Sequence, residues 1–389
     1  MDNGFAFFDT PNTPHSPKDD DLSFLRLIRS RKVGPATFHR LIAEHGSAAE
    51  ALRALPQIAA EAGLADYEAC PEGVAAAELS AGRRAGARML RCDSPLYPAA
   101  LRGIDGAPPV LWVRGDPAWL AHPTVAVIGA RNASSLGLRM ARGMAAGLGE
   151  AGLAVAAGLA RGIDTAAHNA ALPTGTIAVM AGGVDVIYPA ENAILAAQIA
   201  EKGLLVSEQP PGTEPAARHF PTRNRIVSGL SRAVIVIEAA HRSGTLITAK
   251  NALDQGREVM AVPGHPMDAR AAGCNALIRD GALLVRSAAD VVEALAAAED
   301  APVARPAAIA APVPAPQRLA PAPARLARDS GGPVQLEARI LSRLGPSPTE
   351  ENMLIRDLGI PAAMASAAIL ALELQGRVTR MAGGRLALS

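Results

Sequence analysis

Val125-Ala-Val-Ile-Gly-Ala-Arg-Asn-Ala-Ser-Ser135 runs from four continuous apolar residues through a glycine turn into a helical segment, Leu136–Glu150. An unbroken apolar strand followed at once by a helix is the unit of a parallel sheet, because a strand covered on both faces has no solvent side to mark with polar residues. The same unit recurs on either side of this stretch. Further candidate strands are Ala154–Ala157, Ile177–Met180, Leu204–Ser207, Val234–Glu238, Val259–Val262 and Leu283–Val285, with helices expected at Ile163–Leu172, Ala193–Ala200 and Leu246–Gln255. From Pro109 to about Leu295 the pattern therefore predicts an α/β fold with a doubly wound, mostly parallel sheet.

The flanks differ in texture. Residues 1–20 carry Pro11, Pro14 and Pro17 and no apolar period, and are expected to be disordered. From Leu22 to about Leu90 the period is helical: Leu22, Leu25 and Ile28 mark one face, Val33-Gly34-Pro35 breaks it, and Phe38, Leu41 and Ile42 resume it. Helix, glycine turn, helix is either a helix-hairpin-helix unit, whose helix N-terminus can hold a phosphate, or a plain helical packing module. Residues 299–332 form an Ala/Pro tract with seven prolines between Pro302 and Pro323, which reads as a linker. Beyond it, helices at Val334–Leu344, Glu350–Leu358 and Ala362–Gln375, then a hairpin to Leu388 turning at Gly383-Gly384, predict a winged helix. Its third helix has no basic residue and one acid, Glu373, so it suits a protein contact better than the reading of base edges. The expected divisions are 1–20, a helical domain at 21–95, the sheet domain at 96–298, the linker at 299–332 and the winged helix at 333–389.

Composition bounds the partners. The 389 residues carry 38 Lys+Arg against 37 Asp+Glu, which excludes a protein that coats nucleic acid or anionic membrane through overall charge. Cys70, Cys92 and Cys274 match neither a disulfide framework nor a zinc spacing. The start has no apolar signal region, and the longest uncharged apolar stretch near the end, Pro361–Leu372, falls short of the roughly 20 residues of a membrane span. A soluble, cytoplasmic protein is expected.

In an open parallel sheet, ligands collect where loops leave the strands' carboxyl ends. The first such loop, Gly129–Ser135, is not the dinucleotide fingerprint, since Arg131 and Ser134 stand where GxGxxG needs glycine. It offers a phosphate seat instead: Gly129 closes the turn, Ser134 or Ser135 caps the helix, and the helix amides join the Arg131 guanidinium. The next loop, Gly158-Leu-Ala-Arg-Gly-Ile-Asp164, precedes His168 by one helical turn, so Asp164 and His168 are either an acid–base pair or a helix-start carboxylate and a packing histidine. Between Glu214 and Glu238 there is no acid, but there are Arg218, Arg223, Arg225 and Arg232. His219-Phe-Pro-Thr-Arg-Asn-Arg225, read as a loop at the sheet's carboxyl edge, combines cations, an amide and an aromatic. That suits single-stranded nucleic acid, with arginine on phosphates, Phe220 stacking a base and Asn224 on a base or sugar; the alternative is a surface charge run with a buried phenylalanine. His241-Arg-Ser-Gly-Thr245 offers a second phosphate seat capped by Ser243 or Thr245, and Glu238 before it is either a structural ion-pair partner or an acid. No Walker A loop, metal-ligand cluster or nucleophile elbow occurs, so no metal, cofactor or catalytic residue is expected.

In order, these loops resemble the DNA processing protein A family (DprA/Smf). The elements are Val127-Ile-Gly-Ala-Arg131, Gly158-Leu-Ala-Arg-Gly-Ile-Asp-Thr-Ala-Ala-His168, Gly182-Gly-Val-Asp-Val-Ile-Tyr-Pro189 and Ser207-Glu-Gln-Pro-Pro-Gly212. They continue with Phe220-Pro-Thr-Arg-Asn-Arg-Ile-Val-Ser-Gly-Leu230, Ser243-Gly-Thr-Leu-Ile-Thr-Ala249, Gly256-Arg-Glu-Val-Met-Ala-Val-Pro-Gly264 and Gly273-Cys-Asn-Ala-Leu-Ile-Arg-Asp-Gly-Ala282. The resemblance spans about residues 22–295 in sequence and the rest in architecture. It implies a helix-hairpin-helix (SAM-like) domain, an extended Rossmann-like core and a winged helix. It also implies a mediator without turnover that binds single-stranded DNA without strong sequence preference, loads the RecA recombinase in natural transformation and dimerises through the Rossmann-like core. By the resemblance Arg131 contacts phosphate and the Phe220–Arg225 segment lines the same groove. The candidate set is Gly129, Arg131, Ser134, Arg161, Phe220, Arg223, Asn224, Arg225, Ser243 and Thr245. Two departures stand out: Ala130 where the family has Ser, and Ala181 at the first glycine of a triple-glycine run. The competing class is a nucleotide-processing phosphoribohydrolase of similar fold, but its Pro-Gly-Gly-x-Gly-Thr loop with a following Glu is here Arg242-Ser-Gly-Thr-Leu-Ile-Thr248, with no acid after it.

Overall fold

The computed structural model of the chain describes residues 21–61, 66–300, 333–344, 349–362, 364–365, 368–369, 372, 377–381 and 385–388. The expectations for 1–20 and for nearly all of 299–332 lie outside them. The chain divides into two compact units, Met1–Val303 and Ala304–Ser389.

The first unit opens with four helices, α1 (Asp21–Arg29), α2 (Pro35–His45), α3 (Ala48–Glu61) and α4 (Glu72–Arg84). Proline at its first position starts α2, and Gly46 ends it at a φ of +77°. Phe24 and Phe38 meet edge to face at 4.7 Å across the α1–α2 turn. This is the helix-hairpin-helix domain.

Next come β1 (Arg88–Arg91), α5 (Ala99–Arg102), β2 (Val110–Gly115), β3 (Thr124–Ile128), α6 (Ser135–Glu150), β4 (Ala154–Ala157), α7 (Ile163–Ala171), β5 (Thr176–Val179), α8 (Ala193–Lys202) and β6 (Leu204–Ser207). The unit closes with α9 (His219–Gly229), β7 (Ala233–Val236), α10 (Thr245–Asp254), β8 (Glu258–Ala261), α11 (Ala272–Arg279), β9 (Leu283–Leu284) and α12 (Ala288–Asp300). The nine strands form one sheet in the order β1-β2-β6-β5-β4-β3-β7-β8-β9, parallel from β6 to β9 and antiparallel at the β1-β2-β6 end. All residues of β3 to β7 are buried, as unbroken apolar runs require. Alternation along β3 sends Val125 and Val127 to a cluster with Met144 of α6 and Val291 of α12, and Ala126 and Ile128 to the opposite cluster with Ile226 of α9 and Ala249 of α10. The chain steps outward from β3 to β6, returns to β7 beside β3, then steps outward to β9. The sheet is thus Rossmann-like, and its switch point lies between β3 and β7.

Two expectations differ from the structure. The helical-to-sheet boundary between 95 and 96 falls too late, because Arg88–Arg91 already pairs with Val110–Val113. β1 is an antiparallel edge strand, so its charged, half-buried residues carry none of the continuous apolar signal sought in parallel strands. The segment expected as a cationic loop contains α9. Its buried side includes Arg223, Ser228 and Gly229 beside Ile226 and Val227, so no apolar helical period announces it. Pro221 stands in its first turn, where a missing N–H costs nothing.

The second unit contains α13 (Pro333–Arg343), β10 (Thr349–Glu350), α14 (Glu351–Leu358), β11 (Val378–Met381) and β12 (Arg385–Leu388). Its strands form an antiparallel sheet in the order β10-β12-β11. Ala365, Ile369 and Leu372, in the expected third helix, are buried with Leu336, Ile340 and Leu354 in a core of their own. Much of that helix and the Gly383-Gly384 turn lie outside the described residues. This is the winged-helix domain.

One carboxylate ties two of the helices to the sheet. Glu78 of α4 accepts two hydrogen bonds from Arg29 of α1, at 2.9 and 2.8 Å, and one from Trp112 Nε1 of β2, at 2.9 Å. Glu78→Ala leaves a largely buried guanidinium and an indole N–H without their acceptor. Thermal or urea denaturation should register a loss of about 2–4 kcal/mol; an unchanged midpoint would show that water replaces the carboxylate without cost.

Candidate nucleic-acid interface

The loop after β3 holds two of the expected residues in different roles. Ser134 caps α6, its Oγ accepting from Gly137 N at 2.9 Å. The anion expected at this helix start is supplied by the chain itself. Glu238, just past β7, accepts from Ser134 N at 2.9 Å and from the Ser134 hydroxyl. A carboxylate at a helix N-terminus is favoured by the free amides and the dipole, so this seat is not open to a phosphate. The choice between roles for Glu238 resolves as a structural one, though with a helix end rather than an arginine. A Cβ on Gly137 would come within 2.5 Å of the Glu238 carboxyl carbon, and glycine there admits it.

Arg131 points the other way. Its side chain is exposed, and its guanidinium carbon lies 5.3 Å from the centroid of Phe220. Phe220 in turn meets Tyr188 at 5.9 Å in an edge-to-face contact. Behind Arg131 and Phe220 opens a cavity of about 680 Å3 at the switch point, lined by the loop after β3, the start of α9 and the loop from β7 into α10. Gly129, Arg131, Phe220, Arg223, Asn224, Ser243 and Thr245 all line it. A chain of hydroxyls joins two of its walls. Ser243 Oγ donates to Thr245 Oγ1 at 3.0 Å, and Thr245 Oγ1 donates to Gly129 O at 3.1 Å. Ser243 Oγ also accepts from Thr245 N at 3.2 Å, but the residue at the N-cap of α10 is Gly244 and no side chain caps it, so neither Ser243 nor Thr245 fills the capping position expected for it.

The floor is charged. Asp164 is buried and accepts from Gly158 N at 2.9 Å and Ala160 N at 3.4 Å. Burial pushes its pKa up, opposed chiefly by the Arg223 guanidinium. Arg223 is 6% exposed and donates from Nη1 to Val179 O at 2.6 Å. Burial lowers its pKa to about 10, opposed by Asp164, so it stays cationic at neutral pH. Two glycines make this possible. A Cβ on Gly158 would sit 1.8 Å from Arg223 Nη1, and Gly162, at a φ of +80°, would place one 2.3 Å from Ala130 O. Gly162 thus lets the loop after β4 buttress the loop that carries Arg131, and Ile163 N donates to Ala130 O at 3.2 Å across the same contact.

The acid–base alternative for Asp164 and His168 ends here. His168 is fully buried, and its Nδ1 donates to Thr176 Oγ1 at 2.7 Å, which itself donates to Val155 O at 2.8 Å. Burial first, then the Arg223 charge, lowers its pKa to about 3, and it is a neutral packing residue. Three expected residues stay outside the cavity lining. Ser134 faces a second cavity with Glu238. Arg161 is exposed and lies 3.8 Å from Glu191. Arg225 is half-buried in a 2.7 Å ion pair with Glu208, beside Pro108 and Arg29. Sequence reasoning passed over Asn132 and Arg242, both exposed on the cavity wall. The signal was present for Arg242, which precedes Ser243 in a loop already singled out. Among the described residues neither Arg131 nor Arg242 has a carboxylate partner, no group of side chains could hold a metal, and no helix is long and apolar enough to cross a membrane.

The sequence family described as DNA recombination-mediator protein A matches residues 88–296, more than half of the chain. The chain belongs to that family. A DprA-like N-terminal HHH domain matches 18–81 and a DprA winged helix domain matches 310–384. The DNA processing protein DprA of Streptococcus pneumoniae is 47% identical over 198 residues, covering 50% of this chain and 70% of that one. The DprA of Bacillus subtilis is 42% identical over 220 residues, covering 56% and 74%. Among solved structures, the S. pneumoniae protein superposes with a TM-score of 0.54 at 41% identity, over 57% of this chain and 77% of that one. DNA processing protein A from Helicobacter pylori, described for its single-stranded DNA binding mode, gives 0.51 at 28% identity, over 55% and 96%. The expectations of family and of three-part fold are therefore met.

Two outcomes test this architecture. The unfolded chain binds a proton at His168 near pH 6.5, while the folded chain resists until about 3. The stability this group contributes is therefore complete above pH 6.5 and is lost as pH falls toward 3, by up to about 1.4 kcal/mol per pH unit. Urea titrations of wild type and His168→Asn at pH 6 and 5 should show the shallower pH dependence in the variant; parallel slopes would place a charged imidazole in the fold. Gly162→Ala strains a positive φ and presses on Ala130 O, so it should cost about 1–3 kcal/mol in the same titration. Wild-type stability would mean that the buttress is soft.

Proposed function

We propose that this chain binds single-stranded DNA without strong sequence preference at the switch-point cavity and passes the strand to the RecA recombinase, a mediator's task without turnover. The observation that carries the reading is Arg131. Its exposed guanidinium has no carboxylate partner among the described residues, is held over Phe220 and stands at the mouth of a cavity framed by glycine loops. Arg242 gives a second unpaired cation on the opposite wall, and the α10 start adds hydroxyls and amides suited to a phosphate. Contacts of this kind hold the backbone and carry no base information. Asn224, on the wall, supplies an amide for whichever base or sugar lies against it.

The family description, recombination mediator, supports RecA as the recipient, and the resemblance in sequence extends the reading to natural transformation in the cytoplasm as the setting. The proposed homodimer forms through the Rossmann-like domain, and its support lies at the sheet's open edge. There β9 pairs on one side only, with β8, and its Leu283 and Leu284 are 44% and 42% exposed.

Filter binding of an oligothymidylate across a salt series tests the strand reading. Affinity should fall steeply with salt, and Arg131→Ala and Arg242→Ala should each weaken binding about tenfold or more. Each should also flatten the log–log salt slope by about 0.7. Arg225→Ala should leave that slope intact and lower stability instead, because its charge is committed to Glu208. Salt-independent binding by the wild type, or release of base from a nucleoside monophosphate, would overturn the reading in favour of a nucleotide hydrolase.

A further inference from the structure

A base that stacks at this site needs an open ring face, and Phe220 does not offer a free one. The Arg131 guanidinium sits over the ring at 5.3 Å, and Tyr188 packs against it at 5.9 Å with a 64° interplanar angle. Phe220 is half-buried. Tyr188, by contrast, is 54% exposed, in the loop that leaves β5 at the same carboxyl edge of the sheet. The other two tyrosines have committed hydroxyls. Tyr67 donates to Arg31 O at 2.6 Å, and buried Tyr97 donates to Pro108 O at 2.8 Å. The Tyr188 hydroxyl has no such partner among the described residues. A half-exposed aromatic ring, fixed by its edge contact and one ring removed from a free cation, is the arrangement that a nucleotide's flat base and anionic phosphate would engage together.

We propose that Tyr188 is the base-stacking platform of this site, and that Phe220 is the ring that fixes Tyr188 and Arg131 relative to each other. The proposal rests on the single-strand reading above and extends it by a subsite outside the cavity mouth. Arg131 takes the phosphate, and the base of an adjacent nucleotide lies on the exposed face of Tyr188. Any base has a flat face, so this contact adds affinity without sequence preference. The interaction releases no counterion, so it contributes to binding without contributing to the salt slope.

The test uses the full-length protein and oligothymidylates of increasing length, titrated at several salt concentrations. Tyr188→Ala should weaken binding of the longer oligonucleotides about tenfold, with the salt slope of the wild type. Tyr188→Phe should retain wild-type affinity, because the ring and not the hydroxyl is used. Tyr188→Trp supplies a direct signal, since indole emission at an exposed position should be quenched when a base stacks on it. Wild-type affinity in Tyr188→Ala, or no quenching in Tyr188→Trp at saturating oligonucleotide, would overturn the platform while leaving the cavity reading intact. A flattened salt slope in Tyr188→Ala would overturn it too, because the ring would then act only by holding Arg131. If the wild type itself binds no oligonucleotide, both the cavity reading and the platform fail.

Discussion

The site depends on one internal contact, the Glu238 carboxylate at the start of α6. A helix N-terminus beside a glycine turn at the switch point of a parallel sheet is the natural seat for a ligand's phosphate. Here the residue just past β7 reaches across and takes that seat, bonding Ser134 through both its amide and its hydroxyl. Two consequences follow from electrostatics alone. A second anion at the same amides would meet a fixed negative charge, so the ligand is directed to the other side of the loop. The loops after β3 and β7 are also pinned to each other, and the cavity between them acquires walls of fixed separation. The hydroxyl chain from Ser243 through Thr245 to Gly129 holds the same two loops from the opposite side.

The second constraint is the buried charge below the cavity. An arginine removed from water requires compensation, and Arg223 obtains it from Val179 O and from the field of Asp164. The pair is tolerable only because backbone approaches closely. Gly158 leaves the space that the guanidinium occupies, and its amide opposes the upward push of burial on the Asp164 pKa. The charged floor is therefore a product of main-chain geometry as much as of the two side chains, and the loop bearing Arg131 rests on it through Gly162.

The parallel core was legible because its physics leaves a plain trace. Strands buried on both faces read as unbroken apolar runs, and the seven expected strands all appear, shifted by no more than two residues at an end. What escaped notice was structure whose burial does not follow hydrophobicity. β1 is a charged edge strand stabilised by pairing with β2, and α9 turns an arginine, a serine and a glycine inward. Of the expected site residues, Gly129, Arg131, Phe220, Arg223, Asn224, Ser243 and Thr245 meet around one cavity. Ser134, bonded to Glu238, and Arg161 and Arg225, each beside a carboxylate, do not. A sequence reports that a guanidinium exists, and only the fold reports which carboxylate it faces.

That distinction changes the meaning of the charge distribution. A neutral total hides an acid-free interval between Glu214 and Glu238 with four arginines, which invites the conclusion that the groove is lined by them. The fold commits most of that excess elsewhere. Arg223 is buried against Asp164, Arg225 is paired with Glu208, and Arg232 is half-buried and engaged, so only Arg218 remains exposed at the start of α9. Among the described residues the cavity's unpaired cations are Arg131 and Arg242, each the one arginine of its glycine- and serine-bearing loop. Their loops leave adjacent strands at the point where the winding reverses, and two carboxylates carried by the same loop cluster, Glu238 and Asp164, are already bound to main-chain amides. Placement by topology, with acids consumed by the backbone, produces a positive site in a neutral protein without any local surplus of positive residues.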